Sequence, residues 1–283
     1  VWEPSKRAKS RVARALLFSA AMRNYLTTRC DVRFCALFGA AVLALGACSS
    51  DSNDNVTDED YDQVAQSLGA ATAARGDVAA ITVANDLALG VLPLGFSLEG
   101  SGRYQGNFLG LSYELAIECR DASGQVMPLC NASSASASVS TAWSGTLSLP
   151  RLEASASCTG TLELSGLQDE LLTVDGSAHF DLMSEFSSAS NQNHKTLALR
   201  YDATYDGVIV DTAASTFVDG EIHFAVNGER THTTPGMADV RAFELDATIS
   251  FAADGTYTLV LDGERTYTVD AATGVVVLVG STN

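Results

Sequence analysis

From Gly95 to the C-terminus, apolar side chains recur at every second position, and this constrains the chain's fold more than any other feature. Leu111, Tyr113, Leu115, Ile117 and Cys119 alternate with polar partners. So do Leu197, Leu199, Tyr201, Ala203 and Tyr205, and again Phe243, Leu245, Ala247, Ile249 and Phe251. A period of two belongs to a strand with one face buried and one face wet. The runs are punctuated by Asp175-Gly176, Asp206-Gly207, Asp219-Gly220, Asn227-Gly228, Asp254-Gly255 and Asp262-Gly263, pairs that tolerate the positive φ angles of two-residue hairpins. Such short connections cannot carry a parallel crossover, so neighbouring strands must pair antiparallel. The pattern therefore predicts a mainly β protein: an antiparallel meander of about a dozen strands over residues 93–283 that curls into a barrel-like or sandwich domain.

Within that region Val218–Thr233 aligns without gaps to Ala253–Thr268, with seven of sixteen positions identical. Each copy reads as strand, two-residue turn and return strand, and the pair as adjacent hairpins in one sheet. The Glu229-Arg230 and Glu264-Arg265 pairs then fall just past the turns as exposed cross-strand charges, with a recognition edge as the functional alternative. Two copies are too few for a solenoid or propeller.

Ahead of the strands, residues 63–92 are alanine-rich with apolar residues three and four apart, which predicts two short helices packed on the β domain. Arg75-Gly76 breaks them, Asp77 is placed to cap the second, and Gly90 with Pro93 ends it. Residues 48–62 are polar and acidic and read as a flexible tether. Asp51, Asn53 and Asn55 match the opening of a calcium loop, but Val56 stands where that loop requires glycine. No metal is therefore expected there.

The segment Met22–Ala47 has a basic head at Arg23, Arg29 and Arg33, an uncharged apolar run from Phe34 to Leu45, and small residues at its end. Those twelve apolar residues span about 18 Å as a helix, short of a bilayer core of about 30 Å. They suit a cleaved export signal better than a permanent span. Leu45-Gly46-Ala47-Cys48-Ser49 resembles the lipobox of bacterial lipoproteins. The resemblance implies a diacylglycerol on the Cys48 thiol, cleavage before it, and sorting to the outer membrane, facing the periplasm or the cell surface, because Ser rather than Asp follows. Residues 1–21 precede a methionine suited to start such a signal, and read as an upstream leader outside the fold.

From Cys48 onward 32 Asp and Glu oppose 9 Lys and Arg, a balance that repels phosphate backbones and disfavours nucleic acid as a partner. In an oxidising compartment Cys119, Cys130 and Cys158 remain to pair. Cys119 and Cys130 flank the turn-rich Arg120–Gly124 and form the favoured disulfide, with Cys119–Cys158 as the alternative and Cys158 otherwise a buried thiol. No Cys-x-x-Cys, His-Glu-x-x-His or Gly-x-Ser-x-Gly motif occurs, and the four histidines are scattered. These absences leave no catalytic residue, metal or cofactor to name. The expected role is non-catalytic: a lipid-anchored envelope protein meeting a protein partner, or else a carrier of a small apolar ligand in a half-closed barrel. A carboxylate-based hydrolase ranks last.

Overall fold

The computed structural model describes residues 56–74, 76–108, 111–149, 151–187, 194–252 and 254–281. Two helices come first, α1 (Asp58–Thr72) and α2 (Asp77–Ala88). Twelve strands follow: β1 (Phe96–Gly100), β2 (Arg103–Phe108), β3 (Leu111–Arg120), β4 (Ser136–Leu149), β5 (Leu152–Ser165), β6 (Leu171–Ser187), β7 (His194–Asp211), β8 (Thr216–Thr234), β9 (Met237–Phe251), β10 (Thr256–Leu261), β11 (Arg265–Asp270) and β12 (Val276–Ser281). They form one antiparallel sheet in strict sequence order, joined by hairpins and short loops except between β3 and β4, where fifteen residues (121–135) intervene. The sheet is not closed: β1 and β12 are its two ends. A sandwich would need a second sheet. Here the opposing layer is the helix pair.

The inward face is read from the buried alternation, for example Leu115, Ile117 and Cys119 on β3 and Leu245, Ala247 and Ile249 on β9. Val64, Leu68, Val78, Ile81 and Leu87 from the two helices join the same core cluster. The α1 helix lies against β10, β11 and β12, and α2 against β3 and β4, so the pair spans from one part of the sheet to the other. At Gly69 an added Cβ would meet a Val276 methyl carbon at 2.6 Å and the Gly274 carbonyl at 2.7 Å. Only glycine lets α1 approach the β11–β12 turn this closely.

Helix α1 begins inside the stretch that composition assigns to the tether. Thr57 caps it: its hydroxyl accepts from the Asp60 N–H, while the Asp60 carboxylate accepts from the Thr57 N–H at 2.9 Å. This reciprocal box, with Asp58, Glu59 and Asp60 against the positive end of the helix dipole, makes helix of residues that hydropathy reads as spacer. Asp77 does not cap α2. Gly76 occupies that position without a side-chain bond, and Asp77 is the first helical residue.

The Xaa-Gly pairs divide. Asp254-Gly255 and Asp262-Gly263 make the tight turns on either side of β10. Asp206-Gly207 and Asp219-Gly220 sit inside β7 and β8 as bulges, and register also shifts on β6 beside Asp175-Gly176. The bulges lie beside one another, with Gly207 N–H bonded to the Asp175 carboxylate at 2.8 Å. Each shifts side-chain parity by one residue. Val208 and Val210 therefore face inward above the bulge on β7, and Tyr205 and Ala203 below it. Asn227-Gly228 makes no turn at all, and β8 runs through it unbroken. Gly228 pairs with Phe243, whose ring crosses the place a Cβ would occupy, 2.0 Å from Cζ. Burying that ring on a bare glycine favours the extended strand over a turn. The two sequence repeats thus have different structures, one a bulged strand and one a hairpin, with β9 between them.

Candidate functional site

Cys48 lies outside the described residues, as do Asp51, Asn53 and Asn55. Cys119 and Cys130 are joined by a disulfide across the turn-rich loop, and Cys158 is a free, buried thiol on β5.

The inward face carries a row of rings running across the strands. Phe96, Tyr113, Trp143, Phe180, Tyr201 and Phe224 follow one another with centroids 4.4 to 6.4 Å apart. Cys158 stands in register between Trp143 and Phe180, and its small side chain lets those rings meet across it at 5.7 Å. Phe96, Tyr201 and Phe224 are buried, whereas Tyr113, Trp143 and Phe180 keep part of their surface open. Beside the row, the Asp77 carboxylate accepts from the Tyr205 phenol at 2.8 Å.

Burial sets the chemistry of this cluster. Loss of hydration raises Asp77 from 3.8 to about 6, partly offset by the Tyr205 bond. It raises Cys158 to about 12 and Tyr113 to about 12, with the Asp77 charge adding to both. A thiol held protonated at neutral pH is neither nucleophile nor metal ligand. The cluster can hold a polar group in an aromatic setting, but it offers no activated nucleophile. Asp77 also makes a pH prediction. Its folded-state pKa exceeds its unfolded value, so the stability it contributes is complete below 3.8 and is lost as pH rises through about 6. Asp77→Asn keeps an acceptor for Tyr205 and is expected to flatten that slope, as read from urea midpoints measured across the same window.

A second constellation fixes the start of α1. Arg230 of β8 reaches Glu59 at 2.6 Å and Asp60 at 3.4 Å. Arg265 of β11 pairs with Asp58 and lies over the Tyr61 ring, 4.4 Å from its centroid. The Tyr61 phenol donates to Asp262 at 2.9 Å, and the Tyr267 phenol donates to Asp62 at 2.9 Å. The repeat arginines are therefore not exposed hairpin charges: their side chains are 13% and 14% accessible, and both are spent on the helix. Nothing in the sequence joins residues 201 to 207 positions apart, as in the Arg265, Tyr61 and Tyr267 contacts, or the slightly closer Arg230 pairs, except the duplicated Glu-Arg itself.

On the outward face His179 is held from both sides, by Asp202 at 2.7 Å and Asp181 at 3.3 Å, with Arg200 also on Asp181. The Asp202 bond raises its pKa. Both carboxylates favour the charged form of the imidazole. Next to this group is a depression of about 480 Å³, lined by Ser144, Thr146, Ser155, Ser157, Asp181 and Arg200. A second, of about 360 Å³, is lined by Arg103, Glu118, Arg120 and Glu163. The first also takes in Met183, Ala198 and Leu199 and is about half apolar, the second is polar, and both face outward.

No family model, curated protein or solved structure matches this chain. The role therefore has to be argued from the residues. Among the described residues no group of three or more His, Cys, Asp or Glu could hold a metal ion, and no helix is long and apolar enough to cross a membrane, which leaves strand-built spans unaddressed.

Proposed function

We propose that this is a lipid-anchored protein of the bacterial outer membrane that works without catalysis, presenting a rigid acidic sheet to an envelope partner. The observation that carries the reading is the clamp on α1. Asp58 follows Cys48 by ten residues, and the chain is gripped by two arginines and two tyrosines at the point where it enters the fold. That arrangement suits a domain held by its N-terminal end, because a pull on the tether meets ion pairs and packed rings before it reaches the core. Acyl chains on Cys48 would supply the hold, at about 0.8 kcal/mol per buried methylene. Mass spectrometry of the protein from native membranes tests this. An acylated N-terminal Cys48, lost in Cys48→Ser together with membrane association, is the expected result. An unmodified protein beginning upstream of Cys48 would overturn it.

The partly open rings of Tyr113, Trp143 and Phe180 favour a second reading, that of a carrier for a small apolar ligand. Against it, the helices fill the inward face beside the row, and both depressions lie on the outward face. The same spectra decide between the readings, since a carrier retains a stoichiometric apolar molecule.

A further inference from the structure

The register of the sheet divides the domain at one level. Tyr113, Trp143, Cys158, Phe180, Tyr201, Val226 and Leu245 pair in turn across seven strands. The β10–β11 hairpin stops short of this level, its end pairing with Ala247. Beyond it three hairpins continue, β4–β5, β6–β7 and β8–β9. Arg265, which grips Asp58, opens β11 at the end of the short hairpin. The projecting hairpins therefore run on past the start of α1, away from the rest of the domain.

This projecting part has its own charge. Its described residues, 144–149, 151–157, 181–187, 194–200 and 227–244, contain Arg151, Lys195, Arg200, Arg230 and Arg241 against six acids. The other described residues contain three cations and 24 acids. Arg230 is turned back onto Glu59 and Asp60, which leaves four cations for the outer surface of the projection, still a far more balanced charge than that of the body behind it. The β8–β9 tip also exposes apolar side chains: Met237 is 68% and Val240 57% exposed, next to Pro235 and Gly236, with the exposed Asp239 between them paired to Arg241 at 3.9 Å.

We propose that the β8–β9 hairpin rests on the lipid headgroup layer, with its Met237–Val240 tip entering it. The inference rests on the Cys48 anchor. Nine residues from Cys48 to Thr57 span roughly 30 Å when extended, so the start of α1 stays within that distance of the bilayer. Arg230, which holds Glu59 and Asp60, pairs with Arg241, and from there the strand advances roughly 13 Å to Met237, well within the reach of the tether. Charge selects the orientation, because an anionic surface repels the acidic body and admits the balanced end. Exposed Met237 and Val240, with the Asp239 charge met by Arg241, suit the boundary between headgroups and acyl chains.

The test uses the full-length acylated protein in vesicles of phosphatidylethanolamine and phosphatidylglycerol, carrying a nitroxide at Met237→Cys or at Ala213→Cys on the opposite end of the sheet. The native cysteines are acylated, bridged or buried, so the introduced thiol takes the label. The ratio of oxygen to nickel-chelate accessibility is expected to be several-fold higher at 237 than at 213, and to fall when Arg151→Glu and Arg241→Glu are added. Equal aqueous ratios at the two positions, in protein that floats with the vesicles, overturn the docking and leave the anchor intact. Protein that does not float overturns both, and that failure is assigned to the anchor because flotation is read before the label.

Discussion

Tyr257→Ala is expected to cost about 4 kcal/mol of unfolding free energy, and Tyr257→Phe about 1 to 2 kcal/mol, both read from urea unfolding with unchanged slope. Tyr257 is fully buried, edge-on to Phe251 at 4.7 Å and tilted to Phe217 at 6.2 Å. Its hydroxyl accepts from the Phe217 N–H at 2.9 Å and shares a bond with Thr216 at 2.8 Å. Phe217 is the second residue of β8, just above the bulge at Asp219-Gly220, where the ladder changes register. The ring thus fills the core beside the bulge and the oxygen satisfies a buried amide there. Alanine removes both contributions. Phenylalanine keeps the ring and strands the N–H, whose unpaired burial sets the smaller figure. A Phe variant as stable as the parent would show that the hydroxyl does not support the bulge.

That bulge also marks where sequence reasoning stops. Alternation makes the strands and their buried faces legible, because a half-buried strand must repeat every two residues wherever it lies in the sheet. The antiparallel meander follows from connections that, apart from the one between β3 and β4, are too short for a parallel crossover. The function of each Xaa-Gly pair does not follow. Asp262-Gly263 and Asp219-Gly220 offer the chain the same backbone freedom, and whether that becomes a turn or a bulge depends on how long the neighbouring strand is. At Asn227-Gly228 the deciding group is the Phe243 ring, fifteen residues away. The start of α1 was legible in principle, since Thr57-x-x-Asp60 is a capping signature, but an acidic composition outweighed it.

The functional surfaces show the same division. Cys119 and Cys130 could be paired from the turn between them, a local inference. Asp77 and Tyr205, 128 positions apart, could not, because a lone Asp at a helix start is ordinarily a dipole partner and nothing local says that it faces a phenol. The charge asymmetry is hidden for a further reason. Arg151, Lys195, Arg200, Arg230 and Arg241 are dispersed along the sequence, and only the register of six long strands gathers them at one end. Net charge says what the whole surface repels. The fold says which part of it is excepted.

Arg230 carries the other large effect. Arg230→Ala is expected to destabilise by about 3 kcal/mol, because it leaves the nearly inaccessible Asp60 and the partly buried Glu59 without their counter-charge. Arg230→Lys should recover part of this, since an ammonium can meet one carboxylate but not span both as a guanidinium does. If the loss comes from stranded charge rather than missing packing, adding Glu59→Gln to Arg230→Ala should return about 1 kcal/mol or more, a coupling that a double-mutant cycle isolates. The location of the effect is equally specific. Hydrogen exchange in Arg230→Ala should accelerate first at the amides of residues 61–66, while Leu245, Ile249 and Leu259 in the core keep their protection. With the clamp open, the first turns of α1 become an extension of the tether and the domain stands further from its point of attachment. Uniform acceleration across helix and sheet, or a change below about 0.5 kcal/mol, would mean that the pair of arginines does not secure this entrance to the fold.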